Sequence, residues 1–392
     1  MASTPKPETI AQEQRVPEKK RPGLRQRVKH FTFAWFLCTM STGGLAVAIG
    51  EAPHQFKGQY HISLTLYLLT LTLFLLFTLL SLSRYTLHPP HFLSAFSLAP
   101  ESLFAPAFTL SICVLIGGVQ TLAITHGPAT PSLVSLVHIL YWIYAAISLL
   151  AATLQYYLVL RQNRTIPFSP AIFLAGYSCM LTGTLGSLIV ATQPAQRHTA
   201  IVVAGVAHQG FGWCISLVAI VLYVSSLLER GIPPPRARPA MFIPVGSCAY
   251  TVVALVGMAR GIAQQQQHVY TEGYFARHAL APEVLRILAF FSSVFVYVFG
   301  VWLFGLALVA NLSAVGEMPF SLAWWAFIFP NVGFTLATSA LGRELESEAV
   351  LWVGSGMTAV LVVVWIVAAT ACVRAVWRGD IVWPGRDEDK DR

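Results

Sequence analysis

Charged side chains are scarce in this sequence. Asp, Glu, Lys and Arg make up 11% of its 392 residues, whereas a soluble domain carries about a quarter. Hydrophobic residues make up 56%, and the mean hydropathy is +0.65. A chain with so few polar groups cannot cover a water-facing surface, which excludes a soluble protein and favours an integral membrane protein.

The motifs of several enzyme classes are also missing. The sequence contains no HExxH pair, no Walker A loop and no GxGxxG turn, so it lacks the residues that carry metalloprotease or nucleotide chemistry. The six cysteines form no CxxC pair and no Cys/His cluster, which indicates neither a metal site nor a disulfide framework. We therefore expect no enzyme activity, no cofactor and no ATP site.

Long apolar runs fill most of the chain. A helix needs about 20 apolar residues to cross a bilayer, and in lipid every backbone polar group must be satisfied within the segment. We predict an all-α integral membrane protein with ten spans near residues 30–50, 61–83, 101–125, 132–160, 170–193, 198–228, 240–263, 284–311, 319–341 and 349–373. The pattern divides the chain into a disordered N-terminal tail (1–29), a transmembrane transport domain (30–377) and a charged C-terminal tail (378–392).

The positive charges predict the orientation. Of the 25 Lys and Arg residues, 19 fall in the two tails and in loops on the same side, among them Arg84. The positive-inside rule places that side in the cytosol, so both termini are expected to be cytosolic. The net charge of +8 then reflects topology, and we expect no nucleic-acid partner.

The odd-numbered spans share features that most even-numbered spans lack. Glycine, proline and small polar residues recur at 41–44, at 106 and 117–118, at 183–187, at 244–247 and at 330–333. Such residues bend helices, and carbonyl groups freed at membrane depth must face protein or a water-filled cavity. We expect five hairpins whose odd spans surround a central pore and whose even spans face lipid. The alternative is that these glycines only allow close helix packing.

Ionisable side chains within the spans are few, and such residues are often functional. Arg260 is the one Lys or Arg predicted well inside an odd-numbered span, where its guanidinium could bind a carboxylate through two parallel hydrogen bonds. The alternative is that it extends to the outer lipid headgroups. His138 and His208 lie in even spans, and we favour packing or interhelical hydrogen bonding over a proton relay there.

An aromatic run, WWAFIF, ends at Phe329 directly before Pro330. Such clusters usually face lipid or pack in a core. Because Phe329 precedes a proline on a predicted pore helix, we consider it a candidate constriction.

Seven stretches distributed along the chain carry a family resemblance. They are KHFTFAWFLCTMSTGG (29–44), TQPAQ (192–196), HQGFGW (208–213), RPAMFIPVG (238–246), MARG (258–261), WWAFIFPNVGF (324–334) and WPGRDED (383–389). With them the chain resembles the tellurite-resistance/dicarboxylate transporter family, and within it the fungal malic acid transport proteins. The resemblance implies a homotrimer in which each protomer arranges ten helices as five hairpins around its own pore. In related plant slow anion channels and bacterial members a phenylalanine on the ninth helix obstructs the pore, and the W-x-F-x-F pattern assigns that role to Phe329.

We therefore expect a plasma-membrane transporter of C4-dicarboxylates, chiefly malate and also succinate, with channel-like conduction gated by Phe329 and used for acid efflux. Donors without fixed charge suit a pore, because an anion must bind weakly enough to leave. We expect such donors at Thr39, Ser41, Thr42, Thr184, Ser187, Ser247, Asn331 and Thr335, with Arg260 attracting the carboxylate at the outer end.

Alternatives stay open within transport. One is a channel or efflux pump for a smaller anion such as sulfite, nitrate or chloride, and another is a proton-coupled carrier for malate uptake. A membrane enzyme or a receptor is disfavoured, because no catalytic constellation is visible and ten spans do not fit a seven-helix receptor.

Overall fold

The computed structural model describes residues 23–161, 168–264, 270 and 272–382. Within these ranges there is no β-strand, and the chain consists of helices joined by turns. The α-helices are α1 (Leu24–Val28), α2 (Phe36–Gly50), α3 (Gln59–Leu87), α4 (Pro90–Ser97), α5 (Pro106–Val119), α6 (Pro131–Leu160), α7 (Phe173–Ile189), α8 (Ala195–Arg230), α9 (Val245–Ala263), α10 (Gly273–Arg277), α11 (Ala281–Leu312), α12 (Phe329–Glu344) and α13 (Glu348–Arg378). Most of the predicted N-terminal tail and residues 383–392 lie outside the described residues, so the three-part division of the chain stays a prediction.

Nine helical segments of the described chain are long and apolar enough to cross a membrane. They are Phe33–Gly50, Gln59–Leu87, Glu101–Thr125, Pro131–Leu160, Pro170–Thr192, Ala195–Arg230, Pro235–Ala263, Ala281–Leu312 and Glu348–Arg378. They match the first eight predicted spans and the tenth to within a few residues. The expectation of an all-helical membrane protein is confirmed at this coarser level.

The predicted ninth span, near 319–341, differs from the other nine. The structure has a short 3-10 segment there, Leu322–Phe327, followed by α12 with 16 residues. Pro330 lies in the first turn of α12, where its missing backbone N–H costs least. Asn331 and Arg343 add polarity to this short helix. By length and composition the described residues therefore supply nine candidate spans, not ten.

Burial alternates along the nine segments. The most apolar stretches of Phe33–Gly50, Glu101–Thr125, Pro170–Thr192 and Pro235–Ala263 are between 67% and 100% buried, and those of the other five are between 22% and 28% buried. The exposed faces carry Leu, Ile, Val and Phe, which suit lipid rather than water. The buried helices thus form the core and the exposed helices cover it. Their grouping into five hairpin repeats stays a prediction.

Proline and glycine act in two different ways in the buried helices. Pro106, Pro244 and Pro330 lie at the starts of α5, α9 and α12, so they mark where each helix begins. The glycines lie inside continuous helices and make room for neighbours. A Cβ atom at Gly43 would lie 2.6 Å from Val114 Cγ2. Close packing, the alternative interpretation, therefore describes this glycine.

Arg84 is not the loop cation that the sequence predicts. Its side chain is 1% exposed and forms an ion pair with Glu101, with Nη2 2.9 Å from Oε2. Nη1 also donates to the carbonyl oxygen of Phe31 at 2.7 Å. The pair thereby joins the end of α3 to the chain before α2 and to the chain before α5.

Candidate functional site

A cavity of about 370 Å³ lies between the buried helices. It is lined by residues of α2, α7, α9 and α12 and by α5 with its π-helical extension Gln120–Thr125. None of its lining residues comes from the lipid-facing helices α3, α6, α8, α11 or α13. The volume falls within the range of about 300–1,000 Å³ that is typical of small-molecule sites.

Two aromatic side chains, of Tyr250 and Phe329, lie at one end of the cavity, which together with Gly44 we call the floor. Phe329 is the first residue of α12 and is 1% exposed. Its ring centroid lies 5.2 Å from that of Tyr250, and the Tyr250 hydroxyl donates to the Phe329 carbonyl oxygen at 2.8 Å. On the α2 side, a Cβ atom at Gly44 would lie 3.3 Å from Phe329 Cδ2. The ring is therefore held between α9 and α2.

The wall above the floor is mostly apolar. Val114, Leu181 and Leu336 are among its residues, and they offer no hydrogen bond to an anion. Thr184 and Ser187 also line the wall, but Thr184 Oγ1 donates to the Tyr250 carbonyl at 3.4 Å and Ser187 Oγ to the Thr184 carbonyl at 2.7 Å. Because a hydroxyl has one proton, both present only oxygen lone pairs to the cavity in this state.

Three charged side chains, of Glu51, Arg260 and Arg343, lie at the opposite end, which together with Gln264 we call the mouth. Arg343 Nη2 donates to the backbone carbonyl of Glu51 at 2.6 Å. The Glu51 carboxylate accepts from Thr121 Oγ1 at 3.1 Å. Arg260 forms no hydrogen bond or ion pair with the described residues. At 1.5 Å per residue along α12, Arg343 lies about 21 Å from Phe329.

The charges at the mouth favour an anion. Two guanidinium groups face the cavity and one carboxylate balances only part of their charge. A concave site with an excess of one charge sign and low-dielectric walls concentrates ions of the opposite sign. The cavity therefore combines an electropositive entrance with an apolar passage.

The structure brings together four of the ten predicted site residues. Phe329, Thr184, Ser187 and Arg260 line the cavity. The other six lie outside its lining with hydrogen bonds of their own: Thr39 to the Phe36 carbonyl, Ser41 to that of Trp325, Thr42 to that of Cys38, Asn331 to that of Phe327, Thr335 to that of Asn331, and Ser247 with the Tyr177 hydroxyl. The hydroxyl groups of Thr39, Thr42 and Thr335 bond to the preceding turn, as is common in helices, whereas Ser41 and Ser247 bond to other segments. The roles assigned to all ten stay predictions.

Sequence reasoning missed Arg343 and Glu51. Glu51 directly follows α2 and Arg343 lies in the last turn of α12. Charges at helix ends are expected to reach the membrane surface, so neither stood out as a lining residue. The predicted ninth span also stopped at residue 341, just short of Arg343.

The two histidines of the even spans lie away from the cavity. His208 Nδ1 lies 2.8 Å from the Ala204 carbonyl oxygen, and Nε2 lies 3.3 Å from that of Ala145 on α6. His138 Nε2 accepts from Trp142 Nε1 at 3.3 Å. No group of three His, Cys, Asp or Glu in the described ranges is placed to hold a metal ion.

Lipid-facing helices surround the buried helices, and the cavity between the buried helices is positively charged at its mouth. This arrangement is typical of membrane proteins of the anion channel and transporter class. The chain belongs to the voltage-dependent anion channel family, because the family's sequence profile matches residues 30–373. This is a family of channels and transporters, not of enzymes. The resemblance expected from the sequence is confirmed.

Individual relatives are similar over most of the chain. The malic acid transport protein of Schizosaccharomyces pombe is 32% identical over 93% of this chain and 83% of its own length. A putative malic acid transport protein of the same yeast is 29% identical over 95% of this chain and 85% of its own. A sulfite efflux pump of Trichophyton rubrum is 25% identical over 86% of this chain and 89% of its own.

Proposed function

We propose that this protein carries C4-dicarboxylates, chiefly malate and also succinate, across the plasma membrane by channel-like conduction. The observation that carries the proposal is the 32% identity to the malic acid transport protein of Schizosaccharomyces pombe over 93% of the chain. The electropositive mouth supports it, because an anionic acid needs a favourable entrance. The apolar wall also supports it, because weak binding along the path permits fast release.

The proposed architecture adds a tenth crossing to the nine candidate spans. α12 and its preceding 3-10 segment supply this crossing, and the support is that α12 lines the same cavity as the four buried spans. Five hairpins then surround one pore in each protomer of a homotrimer, as the resemblance implies. With both termini in the cytosol, α2 runs outward and ends at Gly50, so the mouth faces the cell exterior.

Phe329 is the proposed gate. Its buried ring separates the cavity from the cytosolic side of the protein, so passage of an anion requires the ring to move away from Tyr250 and Gly44. Movement down the electrochemical gradient then needs no ATP site. An inside-negative membrane potential favours the exit of a dianion, which fits acid efflux.

Six of the predicted donors are proposed to serve the path once Phe329 has moved. Thr39, Ser41 and Thr42 precede Gly44 on α2, and Ser247 precedes Tyr250 on α9, which puts these four on the cytosolic side of the floor. Asn331 and Thr335 follow Phe329 on α12. The Asn331 Nδ2 group has two N–H donors, of which one is donated to the Phe327 carbonyl oxygen at 3.0 Å; the second is the donor proposed to contact a passing anion.

Flux through the purified protein in lipid vesicles tests the proposal. We expect labelled malate and succinate to move faster than in protein-free vesicles, and the malate flux to respond to an imposed membrane potential. Arg260→Ala is expected to weaken malate transport while leaving chloride flux largely intact. Sulfite or chloride flux without malate flux would exclude a dicarboxylate transporter.

A small-anion channel or efflux pump is the second candidate. It is favoured by the 25% identity to the sulfite efflux pump of Trichophyton rubrum, and sulfite in the same vesicles tests it. Proton-coupled uptake of malate is a third arrangement. An inward pH gradient that drives malate accumulation without a malate gradient would favour uptake over passive conduction.

A further inference from the structure

We infer that Arg343 is a second substrate-binding residue and that Arg260 and Arg343 each bind one carboxylate of a C4-dicarboxylate at the mouth. This inference rests on the proposed function and names the site that selects its substrate. It also assigns a role to a residue that the sequence pattern placed in a loop.

The two arginines reach the same cavity from adjoining helices. Arg260 lies in the last turn of α9, Arg343 in the last turn of α12, and both line the cavity. α9 and α12 pack directly against each other, and Gly333 of α12 lies against the Tyr250 ring of α9. Both guanidinium groups are therefore carried by rigid helices of the core rather than by loops, which favours a fixed geometry for binding.

The arginines also hold the donors that are free to bind an anion. A guanidinium has five N–H groups. Arg343 uses one of its nitrogens on the Glu51 carbonyl, and Arg260 has no bond to the described residues. The hydroxyl protons of Thr184 and Ser187 are already donated to carbonyl groups. A carboxylate in the cavity therefore finds its strongest partners at the mouth, where paired N–H···O bonds can form.

Glu51 does not cancel this attraction. Its side chain accepts from Thr121, and it contacts Arg343 through its backbone carbonyl. In the described part of the chain, no ion pair joins the Glu51 carboxylate to either arginine. The Glu51 carboxylate still interacts electrostatically with Arg343, so it offsets part of the positive charge while the remaining N–H groups of both arginines stay available to an incoming dianion.

Selectivity follows from the spacing of the negative charges on the substrate. A dicarboxylate can engage both guanidinium groups at once, whereas chloride or sulfite is a single compact anion and cannot bridge two separated groups in the same way. Binding through the second group is then an intramolecular step that adds affinity for the dicarboxylate alone. Removing one arginine should therefore weaken the binding of malate much more than the binding of a small anion.

Arg343→Gln in vesicles that report both malate and chloride flux tests the inference. We expect the KM for malate and succinate to rise about 10- to 100-fold, as for the loss of hydrogen bonds to a charged group. Chloride flux of the same variant should also fall, because the mouth loses a positive charge, but by a smaller factor than the malate flux, since chloride loses no paired hydrogen bonds. Arg277→Gln, which removes an exposed arginine of α10 outside the cavity lining, is the matched control and should leave the malate KM unchanged.

The outcomes separate this inference from the proposed function. If the wild-type protein transports malate and Arg343→Gln has the same KM for malate, the role of Arg343 alone is overturned. If the wild-type protein conducts chloride but not malate, both the role of Arg343 and the proposed function are overturned. If Arg343→Gln loses every flux because it does not fold, Arg343→Lys decides. That variant keeps the charge without the planar pair of donors, so we expect a raised malate KM with chloride flux retained, and an unchanged KM would overturn the inference.

Discussion

Phe329 is held by contacts that come from two directions. The Tyr250 ring on α9 lies beside the Phe329 ring at an angle of 35° and its hydroxyl donates a hydrogen bond to the Phe329 carbonyl, and the backbone of α2 approaches at Gly44. A side chain at this position would ordinarily be explained as core packing. Its place at the floor of a cavity is what turns the packing contact into a candidate gate.

Phe329→Ala tests the gate. Loss of the ring should open the floor, so we expect a several-fold increase in anion conductance in planar bilayers or in voltage-clamped cells. Phe334→Ala is the control, because Phe334 is also buried on α12 but packs against Tyr297 outside the cavity lining. Equal conductance in wild type and Phe329→Ala would remove Phe329 from the gate.

Only some residues of the candidate site could be identified from the sequence. Arg260 could be singled out because it is a charge within an apolar span, and Phe329 because it precedes Pro330 and matches the W-x-F-x-F pattern of the family resemblance. Arg343 and Glu51 could not, since a charge at the end of a helix looks the same whether it faces headgroups or a cavity. Only the packing of α2, α9 and α12 decides between those two surroundings.

At the scale of helices, nine of the ten segments located by hydropathy are candidate spans in the structure, and the remaining one, at α12, stays a prediction. Apolar length is a local property, so the nine could be predicted without knowledge of their neighbours. α12 is short and polar because its surroundings in the core satisfy its side chains; Thr335 and Thr338, for example, bond to carbonyls one turn back. A helix surrounded by protein needs less apolar character than one surrounded by lipid.

The ion pair between Arg84 and Glu101 should matter for stability. Removing one partner leaves the other charge buried and unpaired, which typically costs about 3–5 kcal/mol. We expect Arg84→Ala to lower the apparent Tm of the detergent-solubilised protein by several degrees or more. Arg230→Ala, at the exposed end of α8, should leave the apparent Tm nearly unchanged. An equal change of Tm in the two variants would show that the ion pair does not stabilise the protein.

Close contact between α7 and α8 depends on a missing side chain. A Cβ atom at Gly183 would lie 2.9 Å from the Gly205 carbonyl oxygen, whereas one at Gly210 would meet nothing within 4 Å. We expect Gly183→Ala to destabilise the protein by about 1–3 kcal/mol through overpacking. The same change at Gly210 should be neutral or slightly stabilising, because alanine is the better helix former. Thermal denaturation of both variants in one detergent compares them, and a stable Gly183→Ala would contradict the packing argument.

At the scale of the whole molecule, exposed helices alternate with buried helices. The exposed helices provide the apolar surface for lipid, and the buried helices enclose the cavity through which an anion is proposed to pass. The buried helices share one cavity, and the exposed helices separate that cavity from lipid. The sequence predicted this alternation through glycine and proline; in the structure Gly43 serves helix packing, Gly44 and Gly117 line the cavity, and the prolines begin helices. The homotrimer implied by the resemblance would repeat the cavity once in each protomer.

The position of bound malate tests the account most directly. Electron cryo-microscopy of the protein in lipid nanodiscs, with and without malate, would reveal it as density present in one map alone. We predict that this density lies at the mouth, with one carboxylate against Arg260 and the other against Arg343, and with Phe329 at the opposite end of the cavity. Density for malate away from both arginines, in a preparation that transports malate, would contradict the account.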